Sequence, residues 1–270
     1  KAGINPKKIV FSGVGKTFEE INYAINKNIL LINAESESEI KQIEKIAKSK
    51  NKRVQIGIRL NPNTDAKTLS QISTGKKENK FGVNNKTFIK LVNFCKRSKN
   101  IYLKCLSVHI GSQILDFKPY EKMLKEISKI LEKVDHKFEF IDLGGGMGIS
   151  YDDRDKVLNY KKYSLAIQKF LKNHKSKIIF EPGRSIVGNT GTLISKIIYI
   201  KNSDKKNFII LDAAMNDLMR PALYGAQHKT LPSVKKNKSS KKIYEFVGPI
   251  CESTDKFITL KKFQELKEKD

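Results

Sequence analysis

Cysteine is scarce in these 270 residues: Cys95, Cys105 and Cys251 are the only three, with no CxxC pair and an odd one left over in any disulfide scheme. That excludes a disulfide-stapled scaffold, gives no reason to expect a metal site, and points to a reducing compartment. Arginine is scarce too, at six of the 53 basic residues. A surface that tracks phosphates usually draws on the bidentate fork of arginine as well as on lysine. Here lysine and asparagine run along the whole chain, in "AINKN", "AKSKNK" and "VKKNKSS", with no basic block beside a series of aromatics. The net charge of +25 has two readings, a compositional habit or an anionic partner, and the even spread favours the first. Long apolar runs are missing as well. No stretch approaches the ~20 residues that span a bilayer, and no signal-peptide core opens the chain. The expectation is a cytoplasmic protein with no nucleic-acid or membrane partner. The chain begins with Lys1 rather than Met, and "KAGINPKK" reads as a helix tail followed by a loop, so a missing beginning is expected.

What is present is a regular alternation. Short apolar runs bounded by turn residues alternate with segments of helical period, the pattern of strand-helix units on a parallel sheet. Strands are predicted at 9–13, 29–33, 54–60, 103–110, 138–143 and 177–181. Helices are predicted at Phe18–Lys27, Ser38–Ser49, Thr87–Ser98, Tyr120–Val134 and Leu158–Asn173. In "YEKMLKEISKILEKV", Met123, Leu124, Ile127, Ile130, Leu131 and Val134 recur at spacings of three and four. After "EPGR" the texture changes to the β-rich runs "TLISKIIYI", "NFIILDA" and "KIYEFVGPI". Six units precede that change, whereas a closed (β/α)8 barrel needs eight. The predicted class is therefore α/β: a TIM-type barrel over 1–187 without its first two units, then an incomplete all-β domain over 188–270.

Each predicted strand runs into a polar or glycine-rich loop, and parallel strands would gather these loops at their carboxyl ends, where barrel enzymes keep their sites. "IDLGGGMG" lets backbone N–H groups approach a phosphate without Cβ interference, and the next strand ends in "EPGRS", with a further glycine and a fixed cation, Arg184. "SVHIGSQ" sets His109 at a strand's carboxyl end with Ser112 three residues on, an imidazole able to stack on a planar ring and a hydroxyl able to bond a phosphate. Where lysine is the default cation each arginine asks for a reason, and Arg220 lies in "DAAMNDLMRPALYGAQH" with Tyr224 four residues later. "GPICESTD" places the thiol of Cys251 beside Glu252 in a proline-bounded loop.

Taken in order, "STGKKENKFGV", "HIGSQI", "DLGGGMGISY", "EPGRSIV", "MNDLMRPALYGAQH" and "GPICESTD" resemble the diaminopimelate decarboxylases, pyridoxal 5'-phosphate enzymes of the alanine-racemase-like barrel group. The combination of "RPALYGA" with "CES" sets them apart from the related ornithine, arginine and carboxynorspermidine decarboxylases. The resemblance implies decarboxylation of meso-diaminopimelate to L-lysine, the last step of lysine biosynthesis. It also implies that Ser112, Gly145, Gly146 and the backbone of Glu181, Pro182, Gly183 and Arg184 hold the cofactor phosphate. Glu181 would face the pyridine nitrogen, and His109 would stack on the ring. Arg184, Arg220 and Tyr224 would bind substrate. Cys251, as proton donor, and Glu252 would be contributed across the interface of a homodimer. Two elements of the resemblance have no counterpart: the Schiff-base lysine of the family's first barrel strand and a tyrosine near its carboxyl end. The isolated chain is accordingly expected to be inactive, and a catalytically dead barrel acting as a binding protein is the alternative from another class.

Overall fold

The computed structural model describes residues 2–66, 74–75, 80–151 and 157–270. Part of the "STGKKENKFGV" motif lies outside them. The chain divides into two compact units: Lys1–Ile149 with Val157–Gly188, and Ser150–Lys156 with Asn189–Asp270.

In the first unit six parallel strands follow one another in sequence order: β1 (Val10–Phe11), β2 (Leu31–Ala34), β3 (Val54–Arg59), β4 (Ile101–Ser107), β5 (Phe140–Asp142) and β6 (Lys177–Ile179). The connecting helices are α1 (Phe18–Lys27), α2 (Glu37–Ser49), α3 (Asn85–Arg97), α4 (Lys118–Leu131) and α5 (Tyr160–Asn173), and the four-residue α6 (Arg184–Val187) follows β6. The sheet curls, because Ser12 beyond β1 bonds Glu181 beyond β6 at 2.6 Å. Sequential parallel order with curling is the architecture of a (β/α) barrel.

Local chemistry starts α1 at its predicted residue and the other four helices within two residues of theirs. Thr17 and Glu20 form a reciprocal capping box on α1, and Ser36, Asn84 and Asn159 each accept a backbone N–H as side-chain caps of α2, α3 and α5. Helix α4 has no side-chain cap and opens with Pro119 in its first turn; it ends at Leu131, short of the predicted Val134. Its Met123, Leu124, Ile127 and Ile130 are buried against the sheet, each contributing ~1.5–3 kcal/mol. A second, smaller cluster joins Leu31, Cys105 and Phe140 with Val10 and Ile179, side chains of the opposite strand face. Apolar packing on both faces explains why these strands read as apolar runs rather than as alternation.

The second unit is a four-stranded mixed sheet in the order β10-β9-β8-β7, made of β7 (Ile197–Lys201), β8 (Asn207–Leu211), β9 (Ile243–Val247) and β10 (Lys256–Lys261). The β8/β9 pair is parallel and the other two pairs are antiparallel. Ile197, Ile209, Tyr244 and Phe246 form its core. Two features depart from the sequence reading. Strand β10 follows the thiol loop, where no strand was predicted, and a five-residue helix, α7 (Arg220–Tyr224), interrupts the all-β region. Pro221 suits the first turn of that helix, and Gly225, in the left-handed region at φ 61°, ends it. Among the described residues no helix is long and apolar enough to cross a membrane.

Candidate active site

In the first unit the chemistry collects where the strands end. Small polar side chains project from the carboxyl ends of otherwise apolar strands and bond one another. Asn33 Nδ2 donates to Ser12 Oγ at 3.1 Å and to Asp142 Oδ2 at 2.8 Å, while Ser12 Oγ donates to Glu181 Oε1. Asp142 Oδ2 also accepts from Ser107 Oγ at 3.3 Å, and Oδ1 accepts from the Gly144 N–H at 2.9 Å. The chain of bonds runs from the carboxylate of Asp142 through Asn33 and Ser12 to that of Glu181. Lys16 steadies its near end. The side chain is 1% exposed, and Nζ donates to the carbonyls of Gly13 and Asn33 and to Glu39 Oε1 at 2.6–2.7 Å.

The glycine loop after β5 is packed rather than open. A Cβ on Gly145 would lie 2.1 Å from the carbonyl oxygen of Glu181, and one on Gly146, at φ +88°, would lie 2.1 Å from that of Gly111. No rotamer relieves a clash with backbone, so these positions let the loops after β4, β5 and β6 touch. The Gly145 N–H donates to His109 Nδ1 at 3.1 Å, and its carbonyl accepts from the buried hydroxyl of Tyr120 at 3.1 Å. Accepting at Nδ1 places the proton of a neutral imidazole on Nε2. The ring is held neutral because burial, aided by the nearby charge of Arg59, lowers its pKa from 6.5 to about 4. Gln113, at the left-handed φ of 58°, ties the same loops together. Its Oε1 accepts from the Ile149 N–H and from Arg184 Nη1 at 3.0 Å, and its Nε2 donates to the Ile149 carbonyl at 2.6 Å. Ser112, half-buried, is its neighbour, and Gly183 caps α6 just before Arg184.

Asp142 titrates against this background. Burial first, and repulsion from Glu181 second, push its pKa from 3.8 up to about 7. A raised carboxyl pKa gives stability that is complete below the unfolded value and is lost as pH rises through about 7. The lowered pKa of His109 acts the other way, giving stability that is complete above 6.5 and lost as pH falls towards about 4. The two slopes oppose each other between about pH 4 and 6.5. Asp142→Asn removes one of them, so its stability is expected to climb with pH across that window by about 3 kcal/mol more than wild type, measured by urea unfolding. Parallel curves for the two proteins would contradict the assignment.

The second unit carries the remaining predicted residues. Helix α7 sets Arg220 and Tyr224 one turn apart. The Arg220 guanidinium stacks on Tyr151, with Cζ 4.4 Å from the ring centroid, and its Nη1 lies 3.0 Å from His228 Nε2. His228 in turn meets Tyr151 edge-on at 4.9 Å. Arg220 Nε is buried with no hydrogen-bond partner among the described residues. Cys251 and Glu252 are exposed in the loop between β9 and β10, where Thr254 Oγ1 bonds the Glu252 carboxylate.

Residues 1–188 match the family described as pyridoxal-dependent decarboxylase, pyridoxal binding domain. The diaminopimelate decarboxylase of Aquifex aeolicus is 40% identical over 258 residues, 94% of this chain and 61% of that protein. The crystal structure of the Helicobacter pylori diaminopimelate decarboxylase complexed with L-lysine is 42% identical, with a TM-score of 0.92 over 100% of this chain and 68% of its own. The chain belongs to the diaminopimelate decarboxylase family. A further member's structure, from m. jannaschii in co-complex with L-lysine, is 32% identical with a TM-score of 0.90 and covers 98% of this chain. The chain spans about three fifths of the length of the curated relatives it matches.

In a pyridoxal-dependent family the carboxyl-end loops of the barrel are where cofactor groups must fit, and the residues present do so. The chain offers a neutral imidazole at His109, a carboxylate at Glu181 oriented by a hydroxyl, a glycine loop that lets the loops after β4, β5 and β6 meet at one place, and the hydroxyl of Ser112. Ser12, Lys16, Asn33 and Gln113 bond or support these groups, and sequence reading did not single them out. One signal was available for Asn33: a polar residue near the carboxyl end of an apolar run sits where a barrel interior turns hydrophilic.

Proposed function

We propose that this chain supplies most of the site for the pyridoxal-phosphate-dependent decarboxylation of meso-2,6-diaminopimelate to L-lysine and CO2, and that by itself, without a counterpart of the family's Schiff-base lysine, it is inactive. The observation that carries this reading is Arg220. A guanidinium stacked on Tyr151, with Nη1 bonded to His228 at 3.0 Å and a buried Nε that has no partner among the described residues, keeps part of its rigid fork open. A carboxylate completes it bidentately. The distal carboxylate of diaminopimelate is such a group, and ornithine has no second carboxylate.

The residues divide the work as follows. Ser112, the glycine loop at Gly145 and Gly146, and the backbone of Pro182, Gly183 and Arg184 hold the phosphate of pyridoxal 5'-phosphate. Glu181, fixed by Ser12, keeps a proton on the pyridine nitrogen, and neutral His109 stacks on the ring without placing a positive charge beside it. The bound cofactor supplies the electron sink for the carbon that loses CO2. Arg184, Arg220 and Tyr224 bind the substrate, and Glu252 faces the distal ammonium. Cys251 donates the proton that replaces CO2 on the α-carbon. Cys251 and Glu252 come across the interface of a homodimer.

The test compares meso-diaminopimelate with ornithine, arginine and carboxynorspermidine as substrates of the protein expressed from its gene. Lysine formation with strong preference for meso-diaminopimelate is expected. Arg220→Lys is expected to lower kcat/KM by about 10- to 100-fold, since an ammonium cannot reproduce the fork. Equal turnover of ornithine, or an Arg220→Lys enzyme with wild-type kcat/KM, would overturn the assignment.

A further inference from the structure

Outside the groups already given a role, the second unit buries the carboxylate of Asp255, 3% exposed. It ends the loop "GPICESTD" that carries Cys251 and Glu252. Its two carboxylate oxygens point to different segments. Oδ2 accepts from the N–H of Ile250, the residue before Cys251, at 2.8 Å. Oδ1 accepts from the N–H of Met215 at 2.7 Å, in the turn that leads into α7 and Arg220. That turn is itself closed by Asp217, whose Oδ2 accepts from the Ala214 N–H at 2.8 Å. The loop closes on Asp255 as well: Gly248 N–H donates to the Asp255 carbonyl at 3.1 Å, and Asp255 N–H donates to the Glu252 carbonyl at 3.0 Å. Space around the carboxylate is fully used. A Cβ on Gly248 would lie 2.2 Å from Oδ2.

We infer that Asp255 is a positioning residue, a single buried carboxylate that ties the loop bearing Cys251 and Glu252 to the segment bearing Arg220. Two backbone donors on one ionised acceptor are charge-assisted bonds, stronger than neutral ones. An ionised side chain is needed, because an amide of the same shape has one acceptor oxygen and turns its NH2 towards the second N–H. The inference rests on the proposed roles of Cys251, Glu252 and Arg220. Asp255 itself touches no reacting atom in that scheme.

The experiment compares wild type, Asp255→Asn and Gly248→Ala by amide hydrogen exchange and by steady-state kinetics with meso-diaminopimelate. Gly248→Ala keeps the carboxylate and displaces it, so it decides the matter even where Asp255→Asn fails to fold. Exchange is expected to accelerate about tenfold or more in the segments around Met215 and Ile250, with β8 and β9 still protected. In both variants kcat should fall more than KM changes, as expected when a proton donor is misplaced. Unchanged exchange in the two segments, acceleration spread evenly over the whole sheet, or local acceleration with wild-type kcat would each overturn the inference. Absence of turnover by the wild-type protein expressed from its gene would instead overturn the proposed reaction, and the exchange data would still decide whether Asp255 ties the two segments.

Discussion

Glu35→Gln is expected to destabilise this protein by about 3–5 kcal/mol, the cost of leaving one member of a buried ion pair alone. Glu35 lies just beyond β2 and Arg59 at the end of β3, with their side chains 3% and 10% exposed and 2.9 Å apart. The second carboxylate oxygen of Glu35 accepts from the Gly82 N–H at 3.1 Å, and the guanidinium sits over Phe81, its Cζ 4.9 Å from the ring centroid. Glutamine keeps the shape and removes the charge, so Arg59 is left ionised in a dry setting. Replacing both partners, as in Glu35→Gln with Arg59→Met, is expected to recover most of the loss, because the penalty belongs to the unpaired charge. The pair also bears on the site. Burial is the main cause that keeps the His109 imidazole neutral and Arg59 the lesser one, so in the double variant the His109 pKa should rise above about 4 while staying below 6.5, read from its ring protons by NMR. A Glu35→Gln protein within ~0.5 kcal/mol of wild type in urea, the range of an ordinary surface change, would show that the pair carries no such weight.

Cys251→Ala is expected to lower kcat for lysine formation by about 10²- to 10⁴-fold, the usual contribution of a positioned general acid. Substrate binding does not use the thiol in the proposed scheme, so KM should stay near its wild-type value. Cys95 and Cys105 do not compete for the role. Both are buried, and burial pushes the Cys95 thiol up to about 12 and that of Cys105 well above its ordinary range. An alkylating reagent should therefore react at Cys251 first and inactivate in step with that modification. An alanine variant retaining kcat within ~2-fold would remove Cys251 from the chemistry.

Much of the first unit is legible in the sequence because local and long-range preferences agree there. Helix α1 matches its predicted bounds, since Thr17 and Glu20 supply a capping box and Asn28 takes the left-handed position after the last turn. The six strands are recognisable as short apolar runs because both of their faces are packed. Agreement is weaker where one residue serves two purposes. Strand β10 begins at Lys256, directly after the loop whose thiol and carboxyls drew attention as chemistry. Helix α7 is only five residues long, too short for a periodic signal. The predicted site residues are recognisable as motifs, but the partners that orient them are not. Nothing in the sequence near Glu181 indicates Ser12, because the bond between them joins positions 169 residues apart.

That separation governs when the site comes into being. Contacts between neighbouring strands and helices are local and form early, whereas joining the ends of β1 and β6 closes a loop of well over a hundred residues, with an entropy cost repaid only by contacts made afterwards. The bond from Ser12 to Glu181 therefore belongs to the final stage of folding, as does the orientation of the carboxylate that the proposed chemistry needs. Refolding followed by helical circular dichroism should run ahead of refolding followed by cofactor binding, and a chain still being synthesised holds β1 through β5 before residue 181 exists. The Glu181 carboxylate is thus expected to find its orientation late, after most of these strands have been wound together.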